Sequence, residues 1–119
     1  MSSTITASSY YVPENRLTHS ELAVRYGEEI ARKVAESAGI WERRVAGADE
    51  CASDLAVRAA EDLLTHHKVD RSTIDLVIFA TQTPDYLLPT TACMMQDRLK
   101  LPTSCAAFDI NLGCSQYVY

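Results

Sequence analysis

The run Leu76–Ala80 constrains the fold more than any other feature of the chain, because all five residues are apolar. The sequence predicts a strand over Ile74–Ala80, of which this run is the core, apolar on both faces. That pattern is typical of a central parallel strand covered by helices on each side. The segments before and after it have helical patterns, so the sequence predicts an α/β fold with a mixed central sheet and helices on both faces.

Local signals place the other elements. Thr18 and Glu21 have the spacing of a capping box, so a helix is expected to begin there. Gly27 is expected to divide this helical segment and Gly39 to end it. Another helix is expected to begin near Ser53, and a short one to run from Thr90 or Thr91 through Leu99. A β-branched and aromatic segment at residues 5–12 predicts an N-terminal strand.

The segment that ends at Cys114 points to chemistry. Ala106–Ile110 predicts a short buried strand, residues 111–113 a turn, and Cys114 the start of a helix. A helix N-terminus carries partial positive charge, which favours a thiolate over a thiol. The same order of strand, turn, nucleophile and helix holds a reactive side chain out in a cleft in a nucleophile elbow. Cys114 is therefore the candidate for covalent catalysis.

The other three cysteines are interpreted as structural or incidental thiols. Cys93 lies in a predicted helix and Cys105 in a predicted strand, so both are expected to be small buried residues. Cys51 is expected to be an exposed or half-exposed thiol. No CxxC pair and no histidine at metal-ligand spacing accompanies them, so neither a metal nor a cofactor is expected.

Composition excludes several classes of partner. The 119 residues carry a net charge of −5, with an isoelectric point near 5.1, which disfavours nucleic acids and anionic membranes. No apolar run approaches the ~20 residues of a membrane span, and the first residues lack a signal-peptide pattern. A cytoplasmic protein with free thiols is expected.

Five motifs in order carry a family resemblance: residues 9–15, 39–44, 80–89, 91–93 and 108–114. Together they resemble the N-terminal portion of a β-ketoacyl-[acyl-carrier-protein] synthase III, in the thiolase-like superfamily. On this resemblance, residues 1–119 are the N-terminal part of a thiolase-like ketosynthase whose C-terminal half lies outside this chain.

The resemblance implies a homodimeric acyltransferase. Its acyl donor would be an acyl-CoA or acyl-carrier-protein thioester. The enzyme would condense the acyl group with malonyl-acyl carrier protein to a 3-oxoacyl product, starting a fatty acid or polyketide. Cys114 matches the nucleophile that first takes the acyl group. The family's catalytic histidine and asparagine lie in the second half, so the 119-residue chain alone is expected to be inactive.

The resemblance also marks four further positions. Leu88 matches a residue, often aromatic, that reaches across the dimer into the partner's acyl pocket. Lys33 and Ser37 match positions where better-known members hold the CoA adenosine with tryptophan and arginine, and Arg43 lies near the CoA entrance. These differences leave two alternatives open. One is a thiolase-like transferase acting on oxygen or nitrogen acceptors, and the other is a non-catalytic partner subunit.

Overall fold

The computed structural model describes residues 3–119, which form two compact units. The smaller unit is Val12–Glu50, and the larger one combines residues 3–11 with 51–119. No helix among the described residues is long and apolar enough to cross a membrane.

The smaller unit pairs two helices with a small antiparallel sheet. Its elements are β1 (Arg16–Thr18), α1 (His19–Tyr26), α2 (Glu28–Ala38) and β2 (Glu42–Arg44). Strands β1 and β2 pair antiparallel, with Leu17 opposite Arg43.

Its helix boundaries are those that the sequence predicts. Thr18 caps α1, and its backbone N–H donates to the Glu21 carboxylate at 2.7 Å, as in a capping box. Gly27, at φ 91°, separates α1 from α2. Gly39 ends α2 in the left-handed conformation, at φ 69°, where a side chain would be strained.

The larger unit contains a parallel strand pair and two helices. Its elements are α3 (Ala52–His66), β3 (Leu76–Ala80), α4 (Thr91–Arg98) and β4 (Ala106–Ile110). Single 3₁₀ turns lie at Arg71–Thr73 and Cys114–Tyr117. Strands β3 and β4 are parallel, with Ile78 opposite Phe108. The α/β class is therefore as predicted.

The core of this unit packs α3 and α4 against the sheet. Its buried apolar residues are Val57, Leu64, Phe79, Ala92, Met95, Leu99, Leu101 and Cys105. The alternate strand positions Leu76, Ile78 and Phe108 remain 43–46% exposed. Strand β4 has the predicted bounds, but it is half-exposed rather than buried. The reason is that, among residues 3–119, the core packs on the face that carries Phe79 and Ala107, while Phe108 points to the other face.

The predicted strand at residues 5–12 is wrong. These residues have no regular secondary structure, and Ile5 and Tyr10 are more than 80% exposed. A β-rich segment becomes a strand only where a neighbour pairs with its backbone. No described strand pairs with this segment. Its side chains contact α3 instead, for example through the Ser9 hydroxyl, which donates to Asp62.

Candidate active site

The site predicted around Cys114 lies where the two parallel strands end. The Thr81 N–H, just after β3, donates to the Ile110 carbonyl at the end of β4, at 3.1 Å. The loop 81–90 and the turn 111–113 therefore begin side by side. Leu88 belongs to the first segment and Cys114 follows the second. Carboxyl edges of parallel strands are where α/β folds bind ligands.

Cys114 begins the 3₁₀ turn Cys114–Tyr117, and it is exposed. The predicted helix start is thus present within the described residues as four residues of 3₁₀ helix. Gln82 lies against the preceding turn, since a Cβ added to Gly113 would stand 3.6 Å from the Gln82 amide nitrogen.

Gln116 supports the same turn from the other side. With its amide oriented to satisfy its hydrogen bonds, the side-chain nitrogen donates to the Leu112 carbonyl at 2.8 Å and to the Ile110 carbonyl at 3.2 Å. Gln116 therefore holds the turn that presents Cys114 by hydrogen bonds, and Gln82 lies beside it.

Asp109 joins the strand before Cys114 to the start of α4. One carboxylate oxygen accepts from the Thr91 N–H at 2.9 Å and the other from the Ala92 N–H at 2.7 Å. Both of these residues are fully buried. A carboxylate at this position satisfies two free N–H groups and complements the helix dipole.

A second polar cluster fixes the loop that carries Leu88. The Asp85 N–H donates to Thr91 Oγ1 at 3.1 Å. The Asp85 carboxylate accepts from the buried Ser53 hydroxyl and from the Ser53 N–H, the latter at 3.4 Å. Arg98 Nη1 donates to Ser53 Oγ at 3.0 Å. Beyond this anchor, Leu88 is 86% exposed.

Arg98 extends this cluster to Asp54 in the first turn of α3. Its Nη2 donates to the Asp54 carboxylate at 2.7 Å. The Cys51 N–H donates to the same carboxylate at 2.8 Å. The Cys51 N–H and, next, the Arg98 guanidinium hold the pKa of Asp54 below its ordinary value.

Exposure alone does not separate Cys114 from the other thiols. Cys105 is buried, as predicted, and Cys51 is exposed at the start of α3. The prediction that Cys93 is buried is wrong. Cys93 is exposed in the first turn of α4, because the buried side of that helix carries Ala92 and Met95.

The structure places the three CoA-entrance candidates in the smaller unit. Lys33 and Ser37 are exposed, one turn apart on α2, and Lys33 Nζ lies 2.8 Å from Glu29 Oε1. Arg43, on β2, lines an apolar groove of about 330 Å³. Neither Lys33 nor Ser37 lines this groove, so the three side chains do not form one site within the described unit.

Several residues at the edge of the β3–β4 pair were not predicted from sequence as contributors to the site: Ser53, Asp85, Asp109 and Gln116. A carboxylate at position 109 of an otherwise apolar strand was a usable signal, since such a side chain needs a polar partner. The other three gave no local signal.

Comparison with known proteins decides the family resemblance. No family model matches the chain. The β-ketoacyl-[acyl-carrier-protein] synthase III of Methylococcus capsulatus is 38% identical over 117 residues, which are 98% of this chain and 36% of that protein. The predicted resemblance to synthase III is confirmed.

Solved synthases share the fold. A 3-oxoacyl-(acyl-carrier protein) synthase from Burkholderia xenovorans matches with a TM-score of 0.85 at 39% identity, over 93% of this chain and 32% of that one. The synthase III of Thermus thermophilus matches with a TM-score of 0.85 at 40% identity, over 98% of this chain and 36% of that one. The fold is thus thiolase-like, and the chain spans about a third of the length of these relatives.

Proposed function

We propose that the chain is the N-terminal part of a synthase III-type condensing enzyme whose nucleophile is Cys114. The observation that carries this proposal is the exposed Cys114 thiol on a turn flanked by Gln82 and Gln116, at the carboxyl edge of the parallel pair. The similarity to synthases over nearly the whole chain supports the same assignment.

In the first half-reaction, the Cys114 thiolate attacks the carbonyl carbon of an acyl thioester. The bond from that carbon to the donor sulfur breaks, and the donor leaves as a thiol after taking a proton. One thioester replaces another, so the acyl group stays activated on Cys114.

In the second half-reaction, the malonyl group of malonyl-acyl carrier protein loses carbon dioxide. The electron pair of the broken C–C bond forms an enolate, whose carbon attacks the acyl group and releases the Cys114 thiolate. The product is a 3-oxoacyl thioester. The developing enolate needs hydrogen-bond donors. The proposal assigns these to the histidine and asparagine of the second half, outside this chain.

Uncovered apolar surface supports the view that this chain is one part of the enzyme. Leu76, Ile78 and Phe108 are half-exposed on the sheet, and Ile30 and Val34 on α2 are 49–59% exposed. The first group lies in the larger unit and the second in the smaller one, and exposed apolar patches of this kind mark interaction sites. The proposal is that the remaining two thirds of the enzyme cover it.

The proposed homodimer joins two copies through β4. Among the described strands only β3 pairs with β4, so the other edge of β4 is free to pair with a second copy. The exposed Leu88 would then reach the neighbour's acyl pocket. A leucine fills less volume there than an aromatic residue, so the pocket should accept primers longer than acetyl.

The residues on α2 favour an acyl donor that carries no adenosine. Lys33 is already paired with Glu29, and Ser37 is short. Neither side chain stacks on or forks to a nucleotide as tryptophan and arginine do. We therefore propose an acyl-carrier-protein thioester as the preferred donor over acyl-CoA.

The test is a condensation assay on the purified full-length protein. With an acyl thioester and malonyl-acyl carrier protein, it should release carbon dioxide and form a 3-oxoacyl product. Cys114→Ala should abolish the product, and Cys93→Ala, which removes the other exposed thiol of the α4 and β4 region, should retain it. An acylated Cys114 that passes its group only to alcohol or amine acceptors would contradict the condensation. Failure to acylate at all would favour a non-catalytic partner subunit.

A further inference from the structure

The loop 81–90 is anchored near its middle by the hydrogen bonds of Asp85, and its apolar tip is exposed. Gln82 lies against the turn before Cys114, and Asp85 is bound to Ser53 and Thr91. Only two residues separate Asp85 from Leu88, which is 86% exposed. We therefore expect a displacement of Asp85 to move Leu88.

The anchor at Asp85 is a contact with a buried residue, Ser53. Ser53 is 3% exposed and lies in the first turn of α3, so its position is set by the helix. Its hydroxyl donates to the Asp85 carboxylate and accepts from Arg98, which leaves it one orientation. Hydrogen bonds to a charged group in such a shielded place are stronger than those at the surface.

We propose that Ser53 and Asp85 are positioning residues that set acyl-chain selectivity by fixing where Leu88 stands. This inference rests on the proposed function, in which Leu88 borders the acyl pocket. Neither residue touches Cys114 or the acyl group. Their effect passes through the loop, so they should change which acyl chain is preferred more than how fast Cys114 reacts.

The test compares Ser53→Ala with wild type in the full-length protein. The ratio of kcat/KM for hexanoyl over acetyl donors should change by about tenfold, since a hydrogen bond to a charged group is lost. The Asp85 amide, which donates to Thr91, should exchange its hydrogen faster. Ser53→Thr keeps the hydroxyl and should restore most of the wild-type ratio.

Two matched controls separate positioning from general stability. Ser72→Ala removes an exposed hydroxyl that bonds Asp70, remote in sequence from loop 81–90, and should leave the selectivity ratio unchanged. Val57→Ala removes core volume next to the same helix turns, so it should lower the melting temperature without altering the ratio.

The inference would be overturned if Ser53→Ala lowers the melting temperature as Val57→Ala does but leaves the selectivity ratio unchanged. Equal losses in Ser53→Ala and Ser53→Thr would overturn it too, because the hydroxyl would then be irrelevant. If Ser53→Ala does not fold, Asp85→Asn should shift the selectivity ratio in the same direction by a smaller factor, and the absence of a shift refutes the proposal.

A wild-type protein that never acylates Cys114 refutes the proposed function instead. Hydrogen exchange at the Asp85 amide still reports on the anchor in that case.

Discussion

Replacing Asp109 by alanine should destabilise the fold well beyond an ordinary surface substitution. The carboxylate accepts one N–H from Thr91 and one from Ala92, and both residues are fully buried. Alanine leaves these two donors without an acceptor, at about 1–3 kcal/mol for each, so the free energy of unfolding should fall by about 2–6 kcal/mol. Asp109→Asn keeps a single carbonyl acceptor, and it should lose about half as much.

The assay is urea unfolding of the full-length protein, read from the midpoint at unchanged m-value. Native-state hydrogen exchange should show that the Thr91 and Ala92 amides lose protection first. Asp75→Ala, an exposed carboxylate just before β3, is the matched control and should stay within about 0.5 kcal/mol of wild type. If Asp109→Ala also falls within that range, the proposed link between the Cys114 strand and α4 is refuted.

Three further changes test separate parts of the account. Leu88→Phe should increase the preference for acetyl over longer acyl donors. The larger side chain would exclude methylene groups of a longer chain from the pocket, and each excluded methylene costs up to about 0.8 kcal/mol of binding. Unaltered ratios of kcat/KM for the two donors would contradict this. Ala107→Pro removes a backbone N–H donor from β4, so it should abolish dimerisation and activity together. Analytical ultracentrifugation measures the oligomeric state. A variant that stays dimeric and active would show that the interface lies elsewhere. Asp54 has a pKa below its ordinary value, so its charge stabilises the fold above pH 4 and this contribution is lost as the pH falls through the lowered pKa. Asp54→Asn should therefore lower stability by about 0.5–1 kcal/mol at pH 7 and by progressively less as the pH falls below about 4, and a loss that does not change with pH would refute that role.

Elements whose signals are local could be predicted from the sequence. The Thr18 capping box, the Gly39 helix end and the bounds of β4 depend on residues within a few positions of each other. The apolar run at Leu76–Ala80 likewise forms β3, although the predicted strand began at Ile74 and Leu76 and Ile78 are half-exposed rather than covered.

Elements that depend on distant partners could not be predicted in this way. Residues 5–12 have strand propensity but no described neighbour to pair with. Strands β1 and β2 are three residues each and exist only through their mutual pairing. Cys93 was misplaced because the periodicity of a short helix does not show which side faces the core.

The candidate site likewise combines residues with local sequence signals and contacts that depend on distant residues. Cys114 and Leu88 were selected from motifs, and the loop that carries Leu88 begins beside the turn that precedes Cys114. The contacts that fix them join residues far apart in sequence, such as Ser53 with Asp85 and Thr91 with Asp109. No pattern within a helix or strand predicts such pairs.

The central claim is that Cys114 carries the acyl group, and peptide mass mapping of the acylated full-length protein tests it most directly. The protein is incubated with an acyl-carrier-protein thioester, quenched in acid, digested and analysed for the acyl mass on each cysteine peptide. The mass should appear on the Cys114 peptide alone, and prior acylation should protect Cys114 from limiting iodoacetamide. An acyl group on Cys93 or Cys51, or Cys114 alkylated equally with and without donor, would contradict the account.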